Sequence, residues 1–158
     1  MIKDRYRTLG VVGKGVFATV LKCSDSKTIL YENTDKQTNG FVAIKMIRNN
    51  DTMRKAADKE KAILIMIAEN DVTNKKHCVR LLENFEFRNH TALVFEYHQM
   101  NLRETLKKFG KDVGINMSAV RLYARQLFVA LKHLSDLRVV HADIKLDNIL
   151  CSGDLKQV

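Results

Sequence analysis

The octet HADIKLDN, residues 141–148, places two aspartates, a histidine, a lysine and an asparagine within eight positions. A carboxylate at Asp143 can accept a proton, an ammonium at Lys145 can neutralise phosphate, and the amide oxygen of Asn148 can ligate a metal. A single aspartate here would read as a polar turn capped by Asp and Asn. Five functional residue types in this order resist that explanation. His141 by itself reads as a packing histidine rather than a base.

Two earlier stretches carry matching chemistry. In Val42-Ala43-Ile44-Lys45, alternation on a strand puts Lys45 on the face of Ala43 and Ile47, with Val42, Ile44 and Met46 opposite. An ammonium on an apolar stripe either snorkels to water or meets an anion. Phosphate oxygens are one candidate anion. Glu60, one helical turn before Leu64, is another. In Gly13-Lys14-Gly15-Val16-Phe17-Ala18-Thr19-Val20, glycines allow backbone N–H groups to approach phosphate oxygens. No G-K-[ST] follows, so this is not a Walker A loop. A strand rather than a helix comes next, which argues against a dinucleotide fingerprint. Strand, turn and strand together suit a flap over a nucleotide, although a plain tight hairpin would also account for the glycines.

The elements that must position these residues can be read from periodicity. Residues 6–12 and 18–24 are expected as the strands of a hairpin, residues 31–40 as a polar loop, and Phe41–Ile47 as a third strand. Asp51 opens a helix to about Ile67. Residues 79–87 and 91–97 are two more strands joined by the polar turn Arg88-Asn89-His90. Asn101 and Glu104 are spaced as a capping pair for a short helix reaching Phe109 and ended by Gly110. Asn116 or Ser118 caps the next helix, whose stripe is Val120, Tyr123, Ala124, Leu127, Ala130, Leu131 and Leu134. The expected fold class is α+β, a five-stranded antiparallel sheet with one helix followed by a helical part. The division is expected between 1–98 and 99–158.

Bulk properties narrow the function classes. The chain has 158 residues, 46% of them hydrophobic, enough for a core. No apolar run reaches 18 residues, and the first ten residues lack a signal-peptide stretch, so no membrane is expected. Cys23, Cys78 and Cys151 are far apart and form no CxxC pair, which fits free thiols in a reducing compartment and argues against zinc. The two glycosylation sequons at Asn89 and Asn116 read as chance. Net charge is +9, a balance that favours polyanions. The basic residues are scattered in twos and threes without interleaved aromatics, so direct nucleic-acid binding is not expected. RNA binding ranks last among the readings.

In order, G-x-G-x-x-[small]-x-V, V-A-I-K, a helix glutamate and H-x-D-x-K-x-x-N resemble the eukaryotic protein kinase family over about residues 6–158. The segments IRNNDTMRK, HCVRLLENFEFRNH, NLRETLKKFGKDVG and HADIKLDNIL are similar to the nuclear pre-mRNA-processing (splicing-factor) kinases of the CMGC group, where H-A-D replaces H-R-D. The resemblance implies a small sheet lobe and a helical lobe, ATP and magnesium as cofactors, protein substrates of the splicing machinery, serine/threonine preference and a nuclear location. It implies that Gly13, Lys14 and Gly15 cover the phosphates, and that Lys45, steadied by Glu60, holds the α- and β-phosphates. Val20, Ala43 and Leu150 would enclose adenine, Phe95 would stand behind it, and the backbones of Glu96 and His98 would bond its edge, with Asn101 near the ribose. Asp143 would orient the substrate hydroxyl, Lys145 steady the γ-phosphate and Asn148 bind magnesium. Leu64, Leu81 and His141 would belong to a packed column behind the site.

Departures from the pattern also carry expectations. Ala18 replaces a third glycine, Ala142 replaces the arginine that reads a phosphorylated activation loop, and Leu146 stands where proline is usual, loosening the loop. The sequence ends at CSGDLKQV, before a D-F-G motif. The expectation is therefore an incomplete helical lobe, with Leu127, Leu131 and Leu134 left without a partner. Such a fragment would fold poorly, bind ATP weakly and transfer no phosphate. The alternative is a non-catalytic nucleotide-binding or interaction module.

Overall fold

A computed structural model of the protein describes residues 1–27, 40–111, 113–156 and 158. The expected loop at 31–40 lies outside the described residues except for Gly40. The described chain divides into two compact units, residues 1–68 with 79–97, and residues 69–78 with 98–158.

The first unit holds strands β1 (Tyr6–Lys14), β2 (Ala18–Asp25), β3 (Phe41–Ile47), β4 (Leu81–Phe87) and β5 (His90–Glu96), and helix α1 (Asp51–Glu69). The strands form one antiparallel sheet in the order β1-β2-β3-β5-β4. The β4–β5 strands begin within two residues of the expected positions. Arg88 and Asn89, at φ 49° and 61°, join them by the two-residue left-handed turn that matches strand twist. Helix α1 is capped by Asn50, whose Oδ1 accepts from the Thr52 N–H at 2.9 Å.

Each face of the sheet has its own packing. One face buries Tyr6, Cys23, Val42, Ile44, Ala92 and Val94, joined by Ile2 from the start of the chain. The other places Ala18 and Ile47 against Ala57 of α1. The first face is strongly concave. In a flat sheet, β1 and β4 would lie about 19 Å apart, four strand spacings. Here the Tyr6 ring stacks on Phe85 with centroids 5.8 Å apart, and the Tyr6 hydroxyl donates to Glu83 at 2.6 Å. Arg5 grips Asp25 with two bonds of 2.6 Å and Glu83 with a third, and Lys3 also pairs with Glu83. The sheet thus curls around its core until its two margins are tied by side chains.

The second unit holds strands β6 (Met100–Asn101) and β7 (Leu150–Cys151), helix α2 (Leu102–Thr105), a π turn (Leu106–Gly110), helix α3 (Met117–Asp136) and a 3-10 turn (Leu146–Asn148). Its core is Leu102, Tyr123, Ile149 and Cys151. The Asn101–Glu104 capping box is present, with both bonds at 2.9 Å. Gly110 ends the π turn, but the left-handed residue is Lys111, at φ 42°. Asn116, not Ser118, caps α3 through the Ala119 N–H at 2.8 Å.

The buried face of α3 differs from the apolar stripe. Tyr123, Gln126, Ala130, His133 and Leu134 are buried, whereas Val120 and Leu131 are partly exposed. The amide of Gln126 explains its own burial. It donates to the Lys156 carbonyl at 2.9 Å and accepts from the Val158 N–H at 2.8 Å, while Tyr123 donates to the Leu155 carbonyl at 2.7 Å. Leu134 is buried and Leu127 packs on the core, so these two are not left bare as expected. Exposure falls on Phe128 instead, 69% accessible. Among the described residues no helix is long and apolar enough to cross a membrane.

Candidate active site

In the first unit, strand register gathers one group of expected site residues. Val20 lies opposite Lys45, and Ala43 opposite Phe95, so all four share the face on which α1 packs. Packing of Ile47 and Ala18 on Ala57 fixes α1 there. Glu60 follows Ala57 by three residues and so lies on the same side of the helix. Its carboxylate accepts two bonds from Lys45 Nζ, at 2.6 and 2.8 Å. The lysine therefore has an anionic partner rather than reaching out to water alone. Both side chains remain about a third accessible, 29% and 39%, which leaves the ammonium approachable.

The glycine-rich hairpin joins β1 to β2. Gly13 pairs with Val20 and Lys14 with Thr19, and the Gly15 N–H donates to the Ala18 carbonyl at 2.9 Å. Neither Gly13 nor Gly15 has a positive φ, and a Cβ there would meet only ordinary contacts at 3.6 Å or beyond. The turn therefore does not demand glycine. What the glycines do is leave the strand bare, as close approach of a ligand to the backbone requires. The Gly15 carbonyl accepts from Arg48 at 3.2 Å. Glu96 is half-buried and its carboxylate accepts from the Arg80 N–H at 3.4 Å.

In the second unit the octet forms one cluster. Lys145 Nζ lies 2.8 Å from Asp143 Oδ2. Asn148 Nδ2 donates to the Asp143 carbonyl and to its Oδ2, both at 2.9 Å. The Asp143 N–H donates to His141 Nδ1 at 3.2 Å. Ala142 between them takes φ 62°, a left-handed conformation that strains a residue with a Cβ. The Lys145 bond, then that of Asn148, holds the Asp143 carboxyl below the usual carboxylate range, and Asp143 in turn raises Lys145. All of this is solvent-facing. Leu150 is on β7 opposite Asn101 and 36% accessible. His98 is half-buried at the first residue of the last stretch of this unit.

The cluster constrains what could bind. Asn148 has committed its NH2 to Asp143, so its carbonyl oxygen is the atom left for a hard cation. Among the described residues no group of three His, Cys, Asp or Glu side chains could cage a metal. One amide oxygen fits a magnesium that arrives on phosphates and keeps most of its other ligands from them and from water.

Sequence reading missed one pair beside this cluster. Arg103 of α2 donates to both carboxylate oxygens of Asp147, at 2.8 and 3.0 Å. The two residues stand 44 positions apart, so no spacing signal could have announced them.

A family model described as "Protein kinase domain" matches residues 6–158. A Dictyostelium discoideum protein named serine/threonine-protein kinase prpf4B is 41% identical over 151 residues, which is 94% of this chain and 17% of its own length. Serine/threonine-protein kinase prp4 of Schizosaccharomyces pombe is 41% identical over 149 residues, 94% of this chain and 29% of its own length. Dual specificity tyrosine-phosphorylation-regulated kinase mbk-2 of Caenorhabditis elegans is 34% identical over 149 residues, 94% of this chain and 17% of its own length. The chain thus spans less than a third of each of these relatives.

Proposed function

Because the chain belongs to the protein kinase family, we propose that it carries the nucleotide-binding and phosphoryl-transfer residues of a serine/threonine kinase that uses MgATP to modify protein hydroxyls. Lys45, steadied by Glu60, holds phosphate oxygens, and Gly13, Lys14 and Gly15 cover them. Val20, Ala43 and Leu150 offer apolar surface to adenine, Phe95 stands behind it, and the Glu96 and His98 backbones bond its edge. Asp143 orients and deprotonates the acceptor hydroxyl, and Lys145 neutralises charge on the transferred group. A magnesium ion, when bound, screens the triphosphate, and Asn148 would hold it through its amide oxygen. Residues 1–98 serve the nucleotide, and residues 99–158 supply the catalytic loop. From the likeness to splicing-factor kinases we also infer spliceosomal protein substrates and a nuclear location.

The observation that carries this reading is the Asp143–Lys145–Asn148 cluster, in which the ammonium and the amide each lie within 3 Å of Asp143. Transfer of labelled phosphate from ATP to casein tests it. Asp143→Asn should lower transfer by roughly 10²–10⁴-fold, the contribution of a positioned acid–base group, with nucleotide binding retained. Unchanged transfer would sink the assignment of Asp143.

A second reading is nucleotide binding without transfer. One observation favours it: Asp143 Oδ2 is already engaged by both Lys145 and Asn148, and a carboxylate held below its usual range is a weaker base. Saturable ATP binding by a protein that transfers no phosphate would support this reading over the first.

A further inference from the structure

The outer side of α3 holds a concavity of about 550 Å³ that no step of phosphoryl transfer uses. Its apolar lining is Phe128 and Val129, and its charged lining includes Lys76, Arg125, Lys132 and Asp136. Arg125, Phe128 and Lys132 follow at intervals of three and four residues, so they form one stripe along the helix. Lys76 comes from the turn that precedes β4. That turn is pinned by the buried Asp71 carboxylate, which accepts the backbone N–H groups of Lys75 and Lys76 at 2.9 and 2.8 Å.

Charge in the concavity is unbalanced. Lys132 bonds to Asp136 at 2.5 and 2.7 Å, which satisfies the one carboxylate of the lining. Arg125 forms no ion pair among the described residues, and the Lys76 side chain is exposed. Two cations thus flank a phenylalanine that is 69% accessible. A large ring left in water beside Arg125, which has no ion pair among the described residues, and the exposed Lys76, whose charge reaches only the buried Asp71 carboxylate, marks a surface suited to a partner bearing the opposite chemistry.

We propose that this surface docks an acidic peptide segment of a partner protein that presents one or two apolar side chains. The apolar group covers Phe128 and Val129, and flanking carboxylates meet Arg125 and Lys76. The volume lies within the range of side-chain and ligand pockets. RNA fits less well, because the lining offers a single large aromatic ring where single-strand binding uses successive stacking platforms. A second copy of the chain fits less well too, because self-pairing would oppose like charges. The proposal stands whether or not the chain transfers phosphate.

The test is fluorescence anisotropy of a fluorescein-labelled probe peptide, EEDLFDEE, titrated with the full 158-residue chain. Saturable binding is expected. Phe128→Ser and, from a different element, Lys76→Glu should each weaken it roughly tenfold, the scale of one lost anchor. Replacing the Leu-Phe of the probe with Ser-Ser should do the same. Both substitutions are at exposed positions, and circular dichroism should be unchanged. Equal affinity for the Ser-Ser probe, or equal affinity after both substitutions, would overturn the proposal. So would tighter binding of oligouridine that these substitutions abolish, or self-association lost in Phe128→Ser.

Discussion

Arg103 and Asp147 form a two-pronged ion pair, Nε to Oδ1 at 2.8 Å and Nη2 to Oδ2 at 3.0 Å, although 44 residues separate them. Asp147 sits between Lys145 and Asn148 in the 3-10 turn, and Arg103 sits in the first turn of α2. The pair adds to the β6–β7 ladder and to the Leu102 N–H bond with the Ile149 carbonyl at 2.7 Å. It therefore helps fasten the loop that holds Asp143, Lys145 and Asn148 to α2. The partners are exposed, so the pair matters for placement more than for global stability.

Arg103→Lys keeps the charge but loses the planar fork. It should raise the magnesium concentration needed for half-maximal transfer, because the Asn148 amide is less well placed, while the melting temperature stays near that of the unmodified protein. Asp147→Asn should behave alike. A large fall in melting temperature with no change in magnesium dependence would show that the pair merely holds the fold.

The Lys45–Glu60 pair predicts a different pattern. Glu60→Gln leaves the hydrogen-bonding shape but removes the charge that holds the ammonium. Nucleotide affinity should fall several-fold, with α1 retained because Ala57 and Met53 still pack on Ala18 and Ile47. Isothermal titration with a non-hydrolysable ATP analogue measures this. Undiminished affinity would remove Glu60 from the site.

Glu83 ties stability to pH. Burial pushes its carboxyl up, but the bonds from Lys3 and Tyr6, with the charges of Lys3 and Arg5, outweigh burial and hold it below the usual range. A carboxylate depressed by folding contributes stability that is fully present above its unfolded pKa, about 4.3, and is lost as pH falls through the lower folded value. Denaturant melts from pH 6 downward should therefore show a loss that Glu83→Gln flattens. At neutral pH the same substitution should cost roughly 1.5–3 kcal/mol, the range for hydrogen bonds to a charged group.

Gln126→Leu should destabilise the second unit by roughly 1–3 kcal/mol, although it adds an apolar residue to a helix. It strands the Lys156 carbonyl and the Val158 N–H, which the amide now serves. Hydrogen exchange should quicken at Val158 and along α3. A neutral or stabilising effect would mean that water replaces the amide without loss.

What the sequence disclosed was local. The octet shows its chemistry because five functional groups fall within eight positions, and the Asn101–Glu104 box because both of its bonds close over three residues. Strand alternation put Lys45 on the face of Ala43 and Ile47, and the packing of Ile47 on Ala57 makes that the face α1 covers. Contacts between distant residues were illegible. Nothing near Tyr6 announces Phe85 or Glu83, since only the curl of the sheet makes its margins neighbours. Apolar periodicity likewise turned Val120 and Leu131 inward on α3, because it cannot know that Gln126 would find backbone partners at 156 and 158.

The curl carries a consequence for probing the molecule. The Cys23 thiol lies at 0% accessibility inside it, and burial raises its pKa, so both access and ionisation protect it from alkylation. The rate at which a maleimide labels Cys23 then works as a stopwatch for the parting of the first and fourth strands. Any change that loosens Arg5, Tyr6 or Glu83 should set that stopwatch running faster, even when spectra of the folded protein look the same.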